Sequence, residues 1–595
     1  MPPTAAASSP DSTRIMGLTK RWAMPGPARP DLPGVHPVVG RILANRPWLR
    51  ASDLTPRLTG LHDPSDIPDL DRTAQDLLGA ARAGRTIAIY GDYDVDGTTG
   101  SAILYHVLRA VGPQARLVHV VPHRLHEGYG LHPQAVERLA EQGVELIVTV
   151  DCGITAHQAA AKARQLGVLL YVTDHHNPPD SLEALPPAEA VVHPGRPDSV
   201  YPFAGLCGAG VAFKLAWRIS TLAGDGGRAS APLRSLLLGL LPLVALGTVA
   251  DVCPLVDENR ILVAHGLGLL RQSGNRGLEE LVRRCIPDDR RPTAGDLGFR
   301  LGPRINAVGR LDHASKAFDL LTTDDPQRIE SICQEMERLN ARRQAVEQRI
   351  VEQACARAEQ AGMHQPDHRA IVLADPQWHP GVIGIACSRL VERYHRPTVL
   401  LNQGQAACKG SGRSIPGYNL HRALACCAGE LSHFGGHDAA VGLALPPERL
   451  EAFSDALVRH ANHALTPDDL IATITIDAQA SLHELDERAA AAIESLGPFG
   501  RGNPTPRILV AGLKACTAPR LMGAGLRHMS LLARDAGGRT IKLVGWQWAR
   551  HAHRIRNGMA LDVVLTPKVE RYRGVRTVMG EIADLRPADH PPAHE

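Results

Sequence analysis

Apolar runs alternate with helical stretches from about residue 73, and this alternation predicts a parallel sheet covered by helices. The first strand is predicted at 86–90, and a helix at 98–109 follows it after a short loop. Later strands are predicted at 117–121, 146–150, 168–173 and 191–192. The pattern is typical of an α/β domain, which we expect over residues 51–322.

A second pattern predicts one long helix over residues 323–364. Apolar side chains recur there at helical spacing, among them Ile329, Met336 and Ile350, and no Gly or Pro lies in the interior. A helix of that length is expected to join two lobes. A second α/β region is predicted over 365–467, opening with a strand at 370–374.

The two ends of the chain differ from the middle. Residues 1–50 are rich in Pro, Ala and Ser, and we expect a flexible arm with a short docked segment near Trp48. Over 468–595 short alternating strands are expected, which suggests a small β-barrel. Their centres fall around residues 474, 508, 531, 543, 564 and 578.

Composition narrows the class of protein. The 595 residues are 44% hydrophobic and 21% charged, as in soluble globular proteins of about three to five domains. A net charge of +3 is too small to attract nucleic acid without a local site. The 11 Cys form no C-x-x-C pair, which favours a reducing cytoplasm. No signal sequence or membrane span is expected, since the longest apolar run, 236–250, is short and contains Pro242.

Three aspartates follow the first predicted strand, in the run Gly91-Asp92-Tyr93-Asp94-Val95-Asp96-Gly97. Carboxylates so close to a buried strand are costly unless a positive charge lies among them. Single aspartates also follow three later predicted strands: Asp151 follows 146–150, Asp174 follows 168–173, and Asp251 follows a strand predicted at 244–250. Ligands of open α/β sheets collect at the carboxyl ends of strands, so an acidic metal-binding crevice is predicted there.

Two adjacent histidines, His175 and His176, complete a donor set of oxygen and nitrogen that needs no thiolate. This set suits Mg²⁺ or Mn²⁺, and it has enough ligands for the two ions that assist a phosphoryl displacement. A single strand-end aspartate is often only a helix cap. An EF-hand calcium loop would need an acid where Ile103 stands, and a phosphate loop would need a Gly-Lys-Ser/Thr ending.

Two glycine-rich segments of the second region could hold a phosphate. One contains Ser411-Gly412-Arg413 and the other Gly435-Gly436-His437. Each segment alone is weak evidence for a phosphate site, because glycine turns are commoner than phosphate sites. A predicted loop at 302–310 offers Arg304, Asn306 and Arg310, for which ordinary surface charge is the alternative.

These motifs together resemble the DHH phosphoesterase superfamily and, within it, the RecJ single-stranded-DNA exonucleases, over residues 45–590. The stretches 123–130 and 379–381 share the resemblance. It implies a two-lobed α/β DHH phosphoesterase fold. A parallel-sheet catalytic lobe would be joined by the long helix to a DHH-associated, substrate-binding lobe, and a C-terminal OB-fold-like barrel would bind nucleic acid.

The resemblance also implies a role for individual residues. The implied ligands of two Mn²⁺ or Mg²⁺ ions are Asp94, Asp96, Asp151, His175 and Asp251. The implied catalytic residues that support them are Asp92, Asp174 and His176. The implied contacts of the DNA 5′ phosphate or nearby backbone are Ser411, Arg413 and His437, and those of the scissile region are Arg304, Asn306 and Arg310.

The implied activity is metal-dependent, processive 5′-to-3′ hydrolysis of single-stranded DNA to mononucleotides, in DNA repair and recombination. The implied partners are single-stranded DNA, a RecQ-type helicase and a single-strand-binding protein, for a cytoplasmic monomer without membrane contact. Two alternatives stay open: a DHH phosphodiesterase acting on short oligonucleotides or cyclic dinucleotides, and a non-catalytic DNA-binding scaffold. The complete acid set favours a catalyst.

Overall fold

The computed structural model describes residues 14–26, 34–49, 54–122, 127–311, 314–572 and 575–588. His123 and Arg124, at the start of the stretch 123–130, lie outside these residues. The described chain divides into two compact units. Unit 1 comprises residues 52–343 and 497–504, and unit 2 comprises 6–51, 344–496 and 505–595 as far as they are described.

The secondary structure is numbered along the chain. The strands are β1 Arg14–Met16, β2 Arg21–Ala23, β3 Thr86–Gly91, β4 Arg116–Val120, β5 Leu146–Val150, β6 Leu169–Thr173, β7 Ala190–Val192, β8 Ile371–Asp375, β9 Thr398–Gln403, β10 Cys408–Arg413, β11 His433–His437, β12 Ala440–Leu445, β13 Thr473–Thr475, β14 Ala478–Gln479, β15 Ile508–Ala515, β16 Arg520–Met522, β17 His528–Arg534, β18 Thr540–Gly545, β19 Ala560–Tyr572 and β20 Val575–Pro587. The helices are α1 Pro37–Ala44, α2 Leu70–Arg82, α3 Val95–Val111, α4 Pro133–Glu141, α5 His157–Leu166, α6 Gly208–Ala223, α7 Ala231–Ala250, α8 Asp257–Leu269, α9 Arg276–Cys285, α10 Ala294–Asp296, α11 Gly302–Leu311, α12 Ser315–Thr322, α13 Pro326–Gln360, α14 Pro380–Tyr394, α15 Leu420–Cys426, α16 Leu450–Ala464 and α17 Glu487–Glu494.

A five-stranded parallel sheet in the order β4-β3-β5-β6-β7 forms the centre of unit 1. Its middle strand β5 reads Leu-Ile-Val-Thr-Val and is buried along its whole length, as expected where helices cover both faces. The helix α3 leaves β3 through the acidic loop and packs on α6 and α7. The predicted α/β class is therefore confirmed.

Residues 231–250 form the helix α7, so the strand expected before Asp251 at 244–250 is wrong. The second half of α7 is buried on nearly all sides, and an apolar run without periodicity does not distinguish a buried strand from a buried helix. Among the described residues, α7 is the one helix long and apolar enough to cross a membrane by those criteria alone. Over half of it is buried inside unit 1.

Residues 302–311 form the helix α11 rather than the predicted loop. A π-helical turn, Leu297–Leu301, leads into it. Glycine and proline at 302, 303 and 309 suggested a loop, but Pro303 stands in the first turn, where proline is tolerated. Gly309 lets α11 approach the acidic loop, because a Cβ there would lie 2.6 Å from the carbonyl oxygen of Tyr93.

The long helix α13 belongs to both units. Its first half, with Ile329 and Met336, is buried in the core of unit 1. Its second half, with Ile350 and Ala354, packs in a separate core of unit 2. The predicted helix over 323–364 is thus present as Pro326–Gln360.

Within its described residues, unit 2 contains two larger sheets and a third, small one. In the first, with the order β11-β12-β10-β9-β8, only β8 and β9 are parallel. In the second, β15 pairs with both β19 and β17, which closes the strands β15, β19, β20, β18 and β17 into a barrel. A five-stranded barrel is the OB-fold arrangement, as predicted. The strand expected near residue 474 is β13, which pairs with β2 instead of joining the barrel.

The prediction of a flexible arm over 1–50 is wrong for residues 14–26 and 34–49. There β1, β2 and β13 form a small sheet, and the indole nitrogen of the buried Trp22 donates to Asp584 at 2.9 Å. Just after α1, Arg46 forms a buried ion pair of 2.7 Å with Asp477. β1 and β2 are only three residues long, and the strand β13 that completes their sheet lies over 400 residues away, so no local pattern indicated this sheet.

Candidate active site

The acidic loop between β3 and α3 is held by the start of α3. Asp94 is the N-cap residue, and its Oδ1 accepts from the backbone nitrogens of Asp96 at 2.8 Å and Gly97 at 3.1 Å. Asp92 is buried at the end of β3. Gly97 is required for the tight turn, because a Cβ there would lie 2.5 Å from the nitrogen of Asp92.

Asp96 is fixed by the first turn of α6. Its carboxylate accepts from the backbone nitrogens of Gly208 at 2.5 Å and Ala209 at 2.9 Å. The partial positive charge at a helix N-terminus favours a carboxylate at this place. Gly208 also permits close contact with the next strand end, since a Cβ there would lie 2.5 Å from the Cβ of Asp151.

Asp174 follows β6 and uses its carboxylate to organise its own loop. One oxygen accepts from the backbone nitrogen of Ile154 at 2.9 Å. The other accepts from the backbone nitrogens of His175 and His176 and from Nδ1 of His176, at 2.7, 3.1 and 2.7 Å. Because both oxygens are engaged, this residue orients its neighbours instead of facing the centre of the crevice.

The side chain of His175 lies where the other acids converge. Its Nε2 is 3.0 Å from Oδ1 of Asp151, 3.7 Å from Oδ2 of Asp96 and 3.8 Å from Oδ2 of Asp251. Asp151 follows β5, and Asp251 caps the end of α7. One crevice therefore receives side chains from three strand ends and one helix end.

The donor atoms fit a metal centre. Nε2 of His175 and Oδ1 of Asp151 are buried, and neither has a hydrogen-bond partner of good geometry among the described residues. The donors of Asp92, Asp94 and Asp151 lie within 4.8 Å of one another, as do those of Asp151, His175 and His176. Carboxylate oxygen with imidazole nitrogen is the set that Mn²⁺ and Mg²⁺ accept.

The electrostatics of the crevice require positive charge. Burial, followed by the neighbouring carboxylates, raises the pKa of Asp151 well above its usual range. Burial likewise raises the pKa of Asp96, and it raises that of Asp251 to about 6. Burial opposes both charges of the Asp174–His176 pair, but their mutual hydrogen bond and attraction lower the pKa of Asp174 to about 2 and raise that of His176 to about 9.

Tyr129 also belongs to this crevice, although its motif predicted no role for it. Its hydroxyl donates to the carbonyl oxygen of Asp151 at 3.0 Å and lies 3.0 Å from Nδ1 of His176. The flanking Gly128 and Gly130 both have positive φ angles. In the sequence, the signal that could have indicated a role for this residue was a tyrosine between two glycines. Two such glycines also occur in ordinary turns, so the signal was not specific.

The residues predicted for the scissile region lie on α11. Asn306 and Arg310 are four positions apart and share one face of the helix, whereas Arg304 lies on another. Nη1 of Arg304 donates to the carbonyl oxygen of Arg300 at 2.7 Å. The structure therefore places Asn306 and Arg310 on one face of α11 and Arg304 on another, and Gly309 of the same helix contacts the acidic loop.

The residues predicted to hold a phosphate come together within unit 2. Ser411 and Arg413 alternate on β10 and so share one face of the sheet. Arg413 and His437 both pair with Ala440, the first residue of β12. Gly384 in α14 faces this pair, since a Cβ there would lie 3.3 Å from Nη2 of Arg413 and 3.4 Å from Oγ of Ser411.

Three family models match the chain. The DHH family N-terminal domain matches residues 86–248, the DHHA1 domain matches 367–462, and the RecJ OB domain matches 476–584. These segments contain the acidic crevice up to Thr248, the sheet that carries Ser411 and Arg413, and the barrel.

Known proteins are similar over most of the chain. The single-stranded-DNA-specific exonuclease RecJ of Salmonella typhimurium is 36% identical over 521 residues, which cover 85% of this chain and 88% of that protein. RecJ of Bacillus subtilis is 35% identical over 532 residues. Those residues cover 88% of this chain, but the chain spans only 64% of the length of the Bacillus protein.

Solved structures are similar as well. RecJ from Thermus thermophilus in complex with Mn²⁺ superposes with a TM-score of 0.78 at 32% identity, covering 94% of this chain and 77% of that one. The same Thermus protein in complex with Mg²⁺ gives a TM-score of 0.72 at 30% identity, covering 94% and 76%.

Proposed function

The chain belongs to the family of RecJ single-stranded-DNA-specific exonucleases, and on that premise we propose that it hydrolyses single-stranded DNA from the 5′ end to mononucleotides. The observation that carries the proposal is the pair of buried donors, Oδ1 of Asp151 and Nε2 of His175, amid clustered carboxylates. An inactive scaffold would have no use for so costly an arrangement.

The proposed ligands of two Mn²⁺ or Mg²⁺ ions are Asp94, Asp96, Asp151, His175 and Asp251. Two such ions, when bound, would lower the pKa of the attacking water and neutralise charge on the phosphate and the leaving oxygen. Their positive charge would also offset the repulsion among the buried acids.

The surrounding groups hold these donors in place before substrate arrives. Oδ1 of Asp94 is occupied by the start of α3, which leaves its other oxygen for an ion. The N-terminus of α6 fixes Asp96. Asp174 sets the orientation of His176, and we propose that this pair and Asp92 act as supporting catalytic residues. Preorganisation of this kind is a large part of electrostatic catalysis.

Substrate contacts are proposed on both units. Asn306 and Arg310 on α11 would contact the DNA backbone at the scissile bond, with Arg304 in a more distant role. Ser411, Arg413 and His437 would hold the 5′ phosphate, for which a guanidinium fork beside a hydroxyl is well suited. A gripped 5′ phosphate would set the polarity of degradation.

Wider features are proposed on the family resemblance alone. The barrel would guide the strand, and the domains would follow the divisions 51–322, 323–364, 365–467 and 468–595. Cooperation with a RecQ-type helicase and a single-strand-binding protein, action in DNA repair and recombination, a monomeric state and a cytoplasmic location have the same basis.

A single isosteric change tests the centre. Asp151→Asn removes a charge from the crevice and should abolish both Mn²⁺ binding, measured by electron paramagnetic resonance, and cleavage of single-stranded DNA. The metal-free variant should be at least as stable as the parent, because a like-charged neighbour is lost. Asp180→Asn is the control, since that aspartate is exposed. Full turnover by Asp151→Asn would contradict the proposed site.

A further inference from the structure

The metal centre contains a sulfur atom that the carboxylate and imidazole motifs do not include. We propose that Cys253, with His175 and Asp251, forms a binding position for a soft divalent cation such as Zn²⁺ or Cd²⁺, which competes with Mn²⁺. The inference rests on the proposed metal centre and adds to it a position at which zinc would inhibit the enzyme.

The geometry of the three donors is close to that of a bound ion. Sγ of Cys253 is 3.1 Å from Oδ2 of Asp251, and that oxygen is 3.8 Å from Nε2 of His175. All three donors lie within 4.8 Å of one another. Tetrahedral zinc has bonds of about 2.3 Å to sulfur and about 2.0–2.2 Å to nitrogen and oxygen, which place ligand atoms roughly 3.2–3.6 Å apart. Small side-chain movements would complete the set.

A second observation points to a ligand at this place. The side chain of Asp151 is 3% exposed, and its Oδ1 has no hydrogen-bond partner of good geometry although it lies 3.0 Å from Nε2 of His175. The imidazole nitrogen also lacks such a partner. Buried polar atoms without a good hydrogen bond require an explanation, and a bound cation between them supplies one.

The thiolate ligand then determines which divalent cation binds more tightly at this position. Oxygen ligands serve Mg²⁺ and Mn²⁺, whereas a thiolate favours softer ions. Of the divalent first-row metals, Mn²⁺ binds most weakly at a given site, so one added thiolate enlarges an advantage that Zn²⁺ already has. As the metal–sulfur bond forms, the thiol releases its proton to solvent and no redox change occurs.

The other described thiols allow a matched test. Cys426 is exposed and Cys516 is half-buried, and the remaining cysteines are buried. The full chain carrying Cys426→Ser and Cys516→Ser is therefore the parent for cadmium titrations. Cys152→Ser is the control, because this buried thiol contacts the carbonyl oxygen of Tyr90 and a serine hydroxyl can replace it there.

The primary readout is the ultraviolet charge-transfer absorption of a cadmium–thiolate bond. The parent and its Cys152→Ser derivative should develop this band with one equivalent of Cd²⁺, and the Cys253→Ser derivative should not. A band that persists without Cys253, or that is absent from the parent, overturns the inference. If Cys253→Ser fails to fold, the test is to add excess Mn²⁺ to the cadmium-loaded parent. Loss of the band supports a site shared by the two ions, and an unchanged band overturns the inference.

Two further measurements separate this inference from the proposed function. Mn²⁺ binding, followed by electron paramagnetic resonance in the same samples, tests the metal centre itself. Mn²⁺ binding by a parent that gives no cadmium band refutes only the role of Cys253, whereas absence of Mn²⁺ binding refutes the centre. The Zn²⁺ concentration that halves the Mn²⁺-supported rate should rise more than about tenfold in Cys253→Ser.

Discussion

Gly208 connects the packing of α6 to two of the proposed metal ligands, Asp96 and Asp151. It lies in the first turn of α6, whose backbone nitrogens hold Asp96, and its α-carbon faces Asp151. A Cβ at this position would lie 2.5 Å from Cβ and 2.9 Å from Cγ of Asp151. Carbon atoms in contact are normally about 3.5–4.0 Å apart, so Gly208→Ala must open this contact by about 1 Å.

That displacement moves either Asp151 or the turn that fixes Asp96. Overpacking of this kind costs about 1–3 kcal/mol of unfolding free energy. A misplacement of about 1 Å among reacting groups can lower the rate about 100-fold, so we expect kcat on single-stranded DNA to fall by about that factor. Mn²⁺ affinity should fall as well, because two proposed ligands are disturbed.

Gly210→Ala is the matched control. It lies on the same turn, but the atoms nearest to a Cβ there belong to the side chain of Leu206, at 3.2 Å or more, so a shift of a few tenths of an ångström accommodates it. The assays are urea unfolding, Mn²⁺ titration and single-turnover cleavage of both variants. If Gly208→Ala retains the kcat of Gly210→Ala, the close packing of α6 on Asp151 does not position the site.

Three further predictions follow from other parts of the chain. Arg46→Met leaves the buried Asp477 without its cation and should lower the unfolding free energy, measured with urea, by about 3–5 kcal/mol. Arg41→Met, which breaks a half-exposed pair with Glu484, should cost less than about 1 kcal/mol, and equal losses would contradict the buried role of Arg46. Arg413→Ala should reduce the rate preference for a 5′-phosphorylated over a 5′-hydroxyl strand about tenfold or more, because a charge-assisted hydrogen bond is worth about 1.5–3 kcal/mol; an unchanged preference would place the phosphate elsewhere. Chelation of divalent ions should abolish cleavage while circular dichroism stays native, and added Mn²⁺ should restore the rate; cleavage in excess chelator would exclude the metal centre.

The strand-end acids were predictable because their pattern is local. Asp151 follows a five-residue apolar strand with the length and the β-branched residues of a buried strand. The prediction put Asp251 in the correct crevice although the preceding segment is a helix and not a strand. The C-terminal end of α7 brings Asp251 to the point that the end of a strand would reach. For such a residue, position in the motif is more informative than the type of secondary structure.

The remaining differences depend on contacts between distant residues. The backbone nitrogens of Gly208 and Ala209 hold Asp96 across more than 100 positions, and no side-chain pattern marks them. Cys253 is only two positions from Asp251, but both come close to His175, more than 70 positions away, only in the folded chain. Trp22 and Arg46 likewise gain their partners only in the folded chain, which is why the N-terminal segment looked like an arm.

The most direct test of the central claim is a time course on single-stranded DNA with a 5′ phosphate, labelled at either end, with Mn²⁺ present. A 5′-to-3′ exonuclease should release a mononucleotide immediately from the 5′-labelled strand, shorten the 3′-labelled strand gradually, and leave the duplex control intact. Release from the 3′ label first, or inactivity on long strands together with rapid cleavage of dinucleotides, would contradict it.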